Sequence, residues 1–150
     1  MTGSAFPTSF RLRSGAIAPL VATLAFLASL FASVPARAED PLKIVALGDS
    51  LTAGYGLPPG DAFPVRLEAA LKAKGHHVVV INAGVSGDTA EQGLARLDWS
   101  TPQDAGAVIV ALGANDALRG IDPKATRRAL DEIVGTYTAR GLPVLVAGML

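Results

Sequence analysis

Cysteine is absent from the 150 residues, which removes disulfides, thiolate metal sites, cysteine nucleophiles and lipid attachment at cysteine together. Aromatic residues make up only 5%, and there are two histidines, the adjacent His76 and His77. Lys+Arg and Asp+Glu number 13 each, but three of the basic residues (Arg11, Arg13, Arg37) fall within the first 38 positions. Residues 39–150 therefore keep ten basic against thirteen acidic side chains, a net charge of −3. No basic block survives to suggest a nucleic-acid partner. Internal repeats and low-complexity stretches are also lacking outside the N-terminus.

The one long apolar run, Gly15 to Val34, is interrupted by Pro19, Thr23, Ser29 and Ser33. Arg11 and Arg13 precede it and Pro35-Ala36-Arg37-Ala38 follows. A basic n-region, an apolar h-region and a small-x-small site are the parts of a secretory signal peptide, so residues 1–38 are expected to be cleaved after Ala38. The arginines are separated by Leu12, so the twin-Arg signal is absent and a Sec-type route is expected, with a periplasmic or secreted product. The run approaches the roughly 20 residues that span a bilayer. Pro19 and the Ala36-x-Ala38 site favour cleavage over a retained anchor, and no stable membrane anchor is expected afterwards. Residues 39–150 suit one small domain.

Within that domain Ile44, Val45, Ala46 and Leu47 form a short apolar run ending at Gly48, the pattern of a strand buried on both faces of a parallel sheet. Leu51 to Gly60, with three glycines and Pro58-Pro59, is expected to be loop. Asp61 is read as an N-cap and Pro64 as an early-helix proline. Phe63, Leu67, Ala70 and Leu71 supply an apolar face and Gly75 a C′ residue. Val78–Ile81 is a second strand. Asp88 or Thr89 caps a helix running through Leu94 and Leu97, and residues 107–112 make a third strand. Asp122-Pro123 opens a last helix with Leu130, Ile133, Val134 and Tyr137 on one face, ended by Gly141, and residues 144–147 form a fourth strand. Strict β–α alternation implies right-handed crossovers and a doubly wound, three-layer α/β/α fold of flavodoxin-like kind. The sequence ends just after the fourth strand, so the fold is expected to be incomplete there, with a poorly protected edge, and the chain to be a fragment or truncated reading frame.

In the order 2-1-3-4, the loops after the first three strands meet on one rim. They carry Gly48-Asp49-Ser50-Leu51, Ser86-Gly87-Asp88-Thr89 and Gly113-Ala114-Asn115-Asp116. Acyl transfer needs a nucleophilic oxygen and donors aimed at an oxyanion. Ser50 offers the oxygen and its own N–H, Gly87 a second N–H without a side chain in the way, and Asn115 a side-chain N–H. Asp49 reads as a cap of the following turn, Asp88 and Asp116 as braces bonding backbone N–H groups of their loops. Trp99 and Tyr55 read mainly as packing residues. Tyr55, on the loop after Ser50, is the better candidate to line an acyl pocket. The G-x-S-x-G elbow, the P-loop and the dinucleotide fingerprint all fail on spacing, and the two histidines with scattered carboxylates make no metal site.

These three blocks, with Gly93-Leu94-Ala95-Arg96-Leu97 and Asn115-Asp116-Ala117-Leu118-Arg119-Gly120, resemble the GDSL or SGNH hydrolase family, within it the secreted thioesterase I, lysophospholipase and arylesterase group. The similarity covers nearly all of residues 43–150. It implies a cofactor-free serine esterase acting on a small acyl ester, thioester or lysophospholipid, with Ser50 as nucleophile and Ser50, Gly87 and Asn115 as oxyanion hole. It also implies a C-terminal Asp-x-x-His block holding the catalytic base, and this sequence contains none. His76 and His77 are expected at the far end of the sheet from Ser50. The alternative is a truncated, non-catalytic fragment or a remnant that binds acyl ligands. Acyl-chain length and oligomeric state stay open.

Overall fold

The computed structural model describes residues 40–148. The signal-peptide reading of residues 1–38 lies outside the described residues. Four parallel strands, β1 (Leu42–Gly48), β2 (Val78–Gly84), β3 (Ala107–Ala111) and β4 (Val144–Val146), form one sheet in the order β2-β1-β3-β4. The expected 2-1-3-4 order is therefore observed, with β1 central.

Register puts alternate side chains on opposite faces. Val45 pairs with Ile81 and Val108, and Leu47 with Ala83 and Val110. This face packs against α3 (Ala90–Leu94), α4 (Leu97–Ser100) and α6 (Pro123–Ala139). Ile133 and Tyr137 of α6 are fully buried in that core, while Leu130 lies at its margin. The opposite face carries Ile44, Ala46, Val80 and Ile109, and α2 (Phe63–Ala73) lies against β2. Glu68 of α2 accepts the outward Val80 N–H of edge strand β2 at 2.8 Å and pairs with Lys72 at 2.6 Å. The Lys72 hydrogen bond first, and then the Val80 N–H, lower the pKa of Glu68.

At the other edge, β4 leaves Leu145 and Val146 largely exposed. No helix among the described residues is long and apolar enough to cross a membrane.

The local start signals fare unevenly. Asp122 caps α6 by accepting from Lys124 N at 2.9 Å, with Pro123 in the first turn and Gly141 beyond the end at φ 76°. Thr89, not Asp88, caps α3, in a reciprocal box with Gln92. Asp61 does not cap α2. A 3₁₀ turn, Pro59–Asp61, absorbs it, and Ala62 takes the cap position without a side-chain bond. The segment after Ser50 is not wholly loop either: α1 (Ser50–Ala53) is one helical turn, stopped by Gly54 in the left-handed region at φ 85°. The single helix expected through Leu97 is two, because Arg96 at φ −118°, ψ 12° leaves helical geometry between them.

Candidate active site at the carboxyl rim of the sheet

The chain must make three sharp exits from the sheet to bring the candidate residues together. β1 ends at Gly48, which pairs with Gly84 at the end of β2. Both lack a Cβ because α1 rests on them. A Cβ on Gly48 would lie 2.0 Å from Thr52 Oγ1, and one on Gly84 would lie 2.2 Å from Ala53 N. Ser50 is thus the first residue of a turn seated directly on the strand ends, and it is half-buried.

Asp49, 2% exposed, caps that turn: its Oδ1 accepts Leu51 N–H at 3.0 Å. Its other oxygen accepts from Asn115 Nδ2 at 3.2 Å. Asn115 sits on α5 (Ala114–Leu118), which starts after Gly113 at φ 113°. The same Nδ2 donates to the main-chain oxygen of Asp88 at 2.9 Å. One amide therefore spans the loop carrying Ser50 and the loop carrying Gly87. Gly87 occupies φ +90°, a conformation that costs an L side chain roughly 1–2 kcal/mol. Its carbonyl accepts from Arg119 Nη2 at 2.6 Å. Among the described residues neither the Ser50 N–H nor the Gly87 N–H has a protein acceptor.

The acidic residues divide by role. Asp116 is buried, accepting Ala90 N–H and Thr126 Oγ1–H, each at 2.9 Å, so it ties α5 to α3 and α6. Asp88 departs from its expected role. Its carboxylate receives no backbone N–H and instead takes Arg96 Nε at 2.6 Å in a buried ion pair. Sequence reasoning missed Arg96 as a member of the site. No local signal marks it, because at 3.6 residues per turn Arg96 lies off the face that Leu94 and Leu97 share. Arg119 was missed as well. Trp99 is not a packing residue, being 73% exposed with its ring 5.7 Å from the Arg96 guanidinium carbon. Tyr55 is 81% exposed on the rim loop, so it packs against little.

Every buried side-chain nitrogen and oxygen among the described residues has a hydrogen-bond partner. No group of three or more His, Asp and Glu side chains among them is placed to hold a metal ion. The histidines lie far from the rim. Leu42 N–H donates to His77 O at the start of β1, and β1 is seven residues long, which at about 3.3 Å per residue puts them roughly 20 Å from Ser50. The arrangement offers a serine hydroxyl, two unpaired N–H groups and a side-chain amide on one rim, the parts used to stabilise an oxyanion.

Residues 46–150 match the GDSL-like Lipase/Acylhydrolase family. The chain is 40% identical over 121 residues to an arylesterase of Vibrio mimicus, covering 78% of this chain and 59% of that protein. It is 42% identical over 112 residues to thioesterase 1/protease 1/lysophospholipase L1 of Escherichia coli strain K12, covering 74% and 51%. The crystal structure of AlinE4, an SGNH-hydrolase family esterase, superposes with a TM-score of 0.70 at 45% identity, over 73% of this chain and 59% of that one. The chain thus spans between about half and three-fifths of the length of these relatives. With the parallel sheet in the order β2-β1-β3-β4, the three strand-end blocks and these matches in agreement, the chain belongs to the GDSL-like lipase/acylhydrolase family.

Proposed function

We propose that this chain carries the nucleophile and oxyanion hole of an exported serine esterase that cleaves small acyl esters, thioesters or lysophospholipids without a cofactor. The observation that carries this reading is the Asn115 amide, which contacts Asp49 beside Ser50 and Asp88 beside Gly87. In the reaction Ser50 Oγ attacks the acyl carbonyl and its proton passes to a general base. The carbonyl oxygen becomes an oxyanion held by Ser50 N–H, Gly87 N–H and Asn115 Nδ2. Collapse, with that proton passed on to the departing oxygen or sulfur, expels the alcohol or thiol and leaves an acyl-serine ester, which water then hydrolyses through a second oxyanion in the same hole, releasing the acid and restoring the Ser50 hydroxyl. Each donor is worth about 3–4 kcal/mol of transition-state stabilisation. The Asn115 bond to Asp49, at 3.2 Å the longer of its two, is the one the oxyanion draws away. Export rests on the signal-like residues 1–38, and what supports a role for Tyr55 in meeting the acyl group is its exposure on the loop after Ser50.

A second reading has its own observation. Neither histidine of the sequence is near Ser50, and a serine hydroxyl without a base is a weak nucleophile. A crevice that binds acyl or acetylated ligands without turning them over would look the same on these residues. Protein produced from its genomic locus, assayed on p-nitrophenyl esters beside Ser50→Ala, decides between them. Turnover that falls by several orders of magnitude in the variant is expected. Undiminished turnover in the variant sinks the nucleophile assignment, and ester binding without turnover in the parent favours the second reading.

A further inference from the structure

Arg96 is 5% exposed, and none of the steps above uses it. Its guanidinium makes three directed bonds. Nε donates to Asp88 Oδ2 at 2.6 Å, Nη1 to Ser100 Oγ at 2.9 Å and Nη2 to the carbonyl oxygen of Gly48 at 2.9 Å. The exposed Trp99 ring lies against it. Gly48 is two residues before Ser50, and its carbonyl also accepts Val85 N–H at 3.0 Å, so it is engaged both by Arg96 and by the loop after β2. Asp88 follows Gly87 and receives Asn115 on its main-chain oxygen. One buried cation is therefore bonded to the strand end that presents Ser50 and to the residue that joins Gly87 to Asn115.

We propose that Arg96 is a positioning residue for the reaction above, its planar guanidinium fixing the separation between the end of β1 and the loop that carries the Gly87 N–H and receives Asn115. The inference rests on the reading of Ser50 as nucleophile. A guanidinium suits the task because its donors diverge in one rigid plane, whereas a lysine ammonium is a point charge on a flexible stem and cannot reach all three acceptors. Helix α4, through Ser100, fixes the fork from below. A role confined to neutralising Asp88 would need only the first of the three bonds.

The test compares Arg96→Met, Arg96→Lys, the double variant Arg96→Met with Asp88→Asn, and Ser50→Ala in the protein produced from its locus. It reads kcat and KM on p-nitrophenyl butyrate, melting temperature, and amide hydrogen exchange of residues 84–89. The double variant leaves no buried charge unpaired, so its melting temperature should return from the lowered value of Arg96→Met towards that of the parent. Its kcat should still stand about 10²-fold down with KM little changed, the penalty for roughly 1 Å of misplacement, and exchange at residues 85–88 should stay fast. Arg96→Lys should show the same exchange and kcat pattern with a smaller loss of melting temperature. Recovery of kcat together with melting temperature, or parental exchange at residues 85–88 in any Arg96 variant, overturns the proposal. Undiminished turnover in Ser50→Ala overturns the esterase reading instead, and the exchange measurement, which needs no turnover, still decides the tether.

Discussion

Replacing Gly84 by alanine should damage the site through a single methyl group. The new Cβ would stand 2.2 Å from Ala53 N and 2.8 Å from Ala53 Cα and Thr52 C. All three are backbone atoms of the turn that Ser50 begins, so no side chain can swing aside. Reaching ordinary contact, which starts at 3.4 Å, requires the turn to lift by roughly 1 Å. Overpacking of this kind costs about 1–3 kcal/mol, which at about 4 °C per kcal/mol lowers the melting temperature by about 4–12 °C. A shift of about 1 Å at a reacting group costs about 10²-fold in rate. Gly60→Ala is the control, since a Cβ there meets nothing within 4 Å and the backbone is not left-handed; its effect should stay within about 0.5 kcal/mol. Thermal unfolding and ester turnover would be measured on both. A Gly84→Ala protein that melts and turns over like the Gly60→Ala control would refute the argument that α1 rests on the paired glycines.

Asp116→Ala should destabilise the rim by about 2–3 kcal/mol, because Ala90 N–H and Thr126 Oγ1 lose their acceptor in a buried site; Asp116→Asn, which keeps an acceptor, should lose less in urea unfolding. Alkaline pH should act through Tyr137. Burial raises its pKa, partly opposed by the Thr101 hydrogen bond at 2.7 Å, so the fold favours the neutral phenol. That contribution is complete below the unfolded-state value near 10 and is lost as pH rises through the higher folded-state value. Urea unfolding from pH 8 to 11 should show a steeper loss of stability for the parent than for Tyr137→Phe; parallel curves would contradict the assignment.

The parts of this fold that could be read from sequence are those whose cause is local. Asp122-Pro123 and Gly141 bracket α6 because cap, fixed φ and left-handed stop all act within a turn of their own residues. The strand order followed from short apolar runs alternating with helices, and the three rim blocks from glycine beside polar residues at strand ends. Asp61 misled because a proline-led 3₁₀ turn competes for the same residue. Helix α1 was hidden by its four-residue length and by the glycines after it, although Asp49 caps it. Arg96 could not be placed from its neighbours, since its decisive acceptor, Gly48 O, lies 48 positions away in sequence. The double engagement of Asn115 is likewise a product of strand order, and no spacing rule predicts it.

The central claim is that Ser50 is the nucleophile of an esterase site. A fluorophosphonate probe reports this directly, since it forms a covalent adduct with an activated serine. Protein produced from the genomic locus would be labelled, digested and mapped by mass spectrometry. The account predicts one adduct, on the peptide containing Ser50, absent in Ser50→Ala. An adduct on a different residue, or none at all in a folded protein, would contradict it.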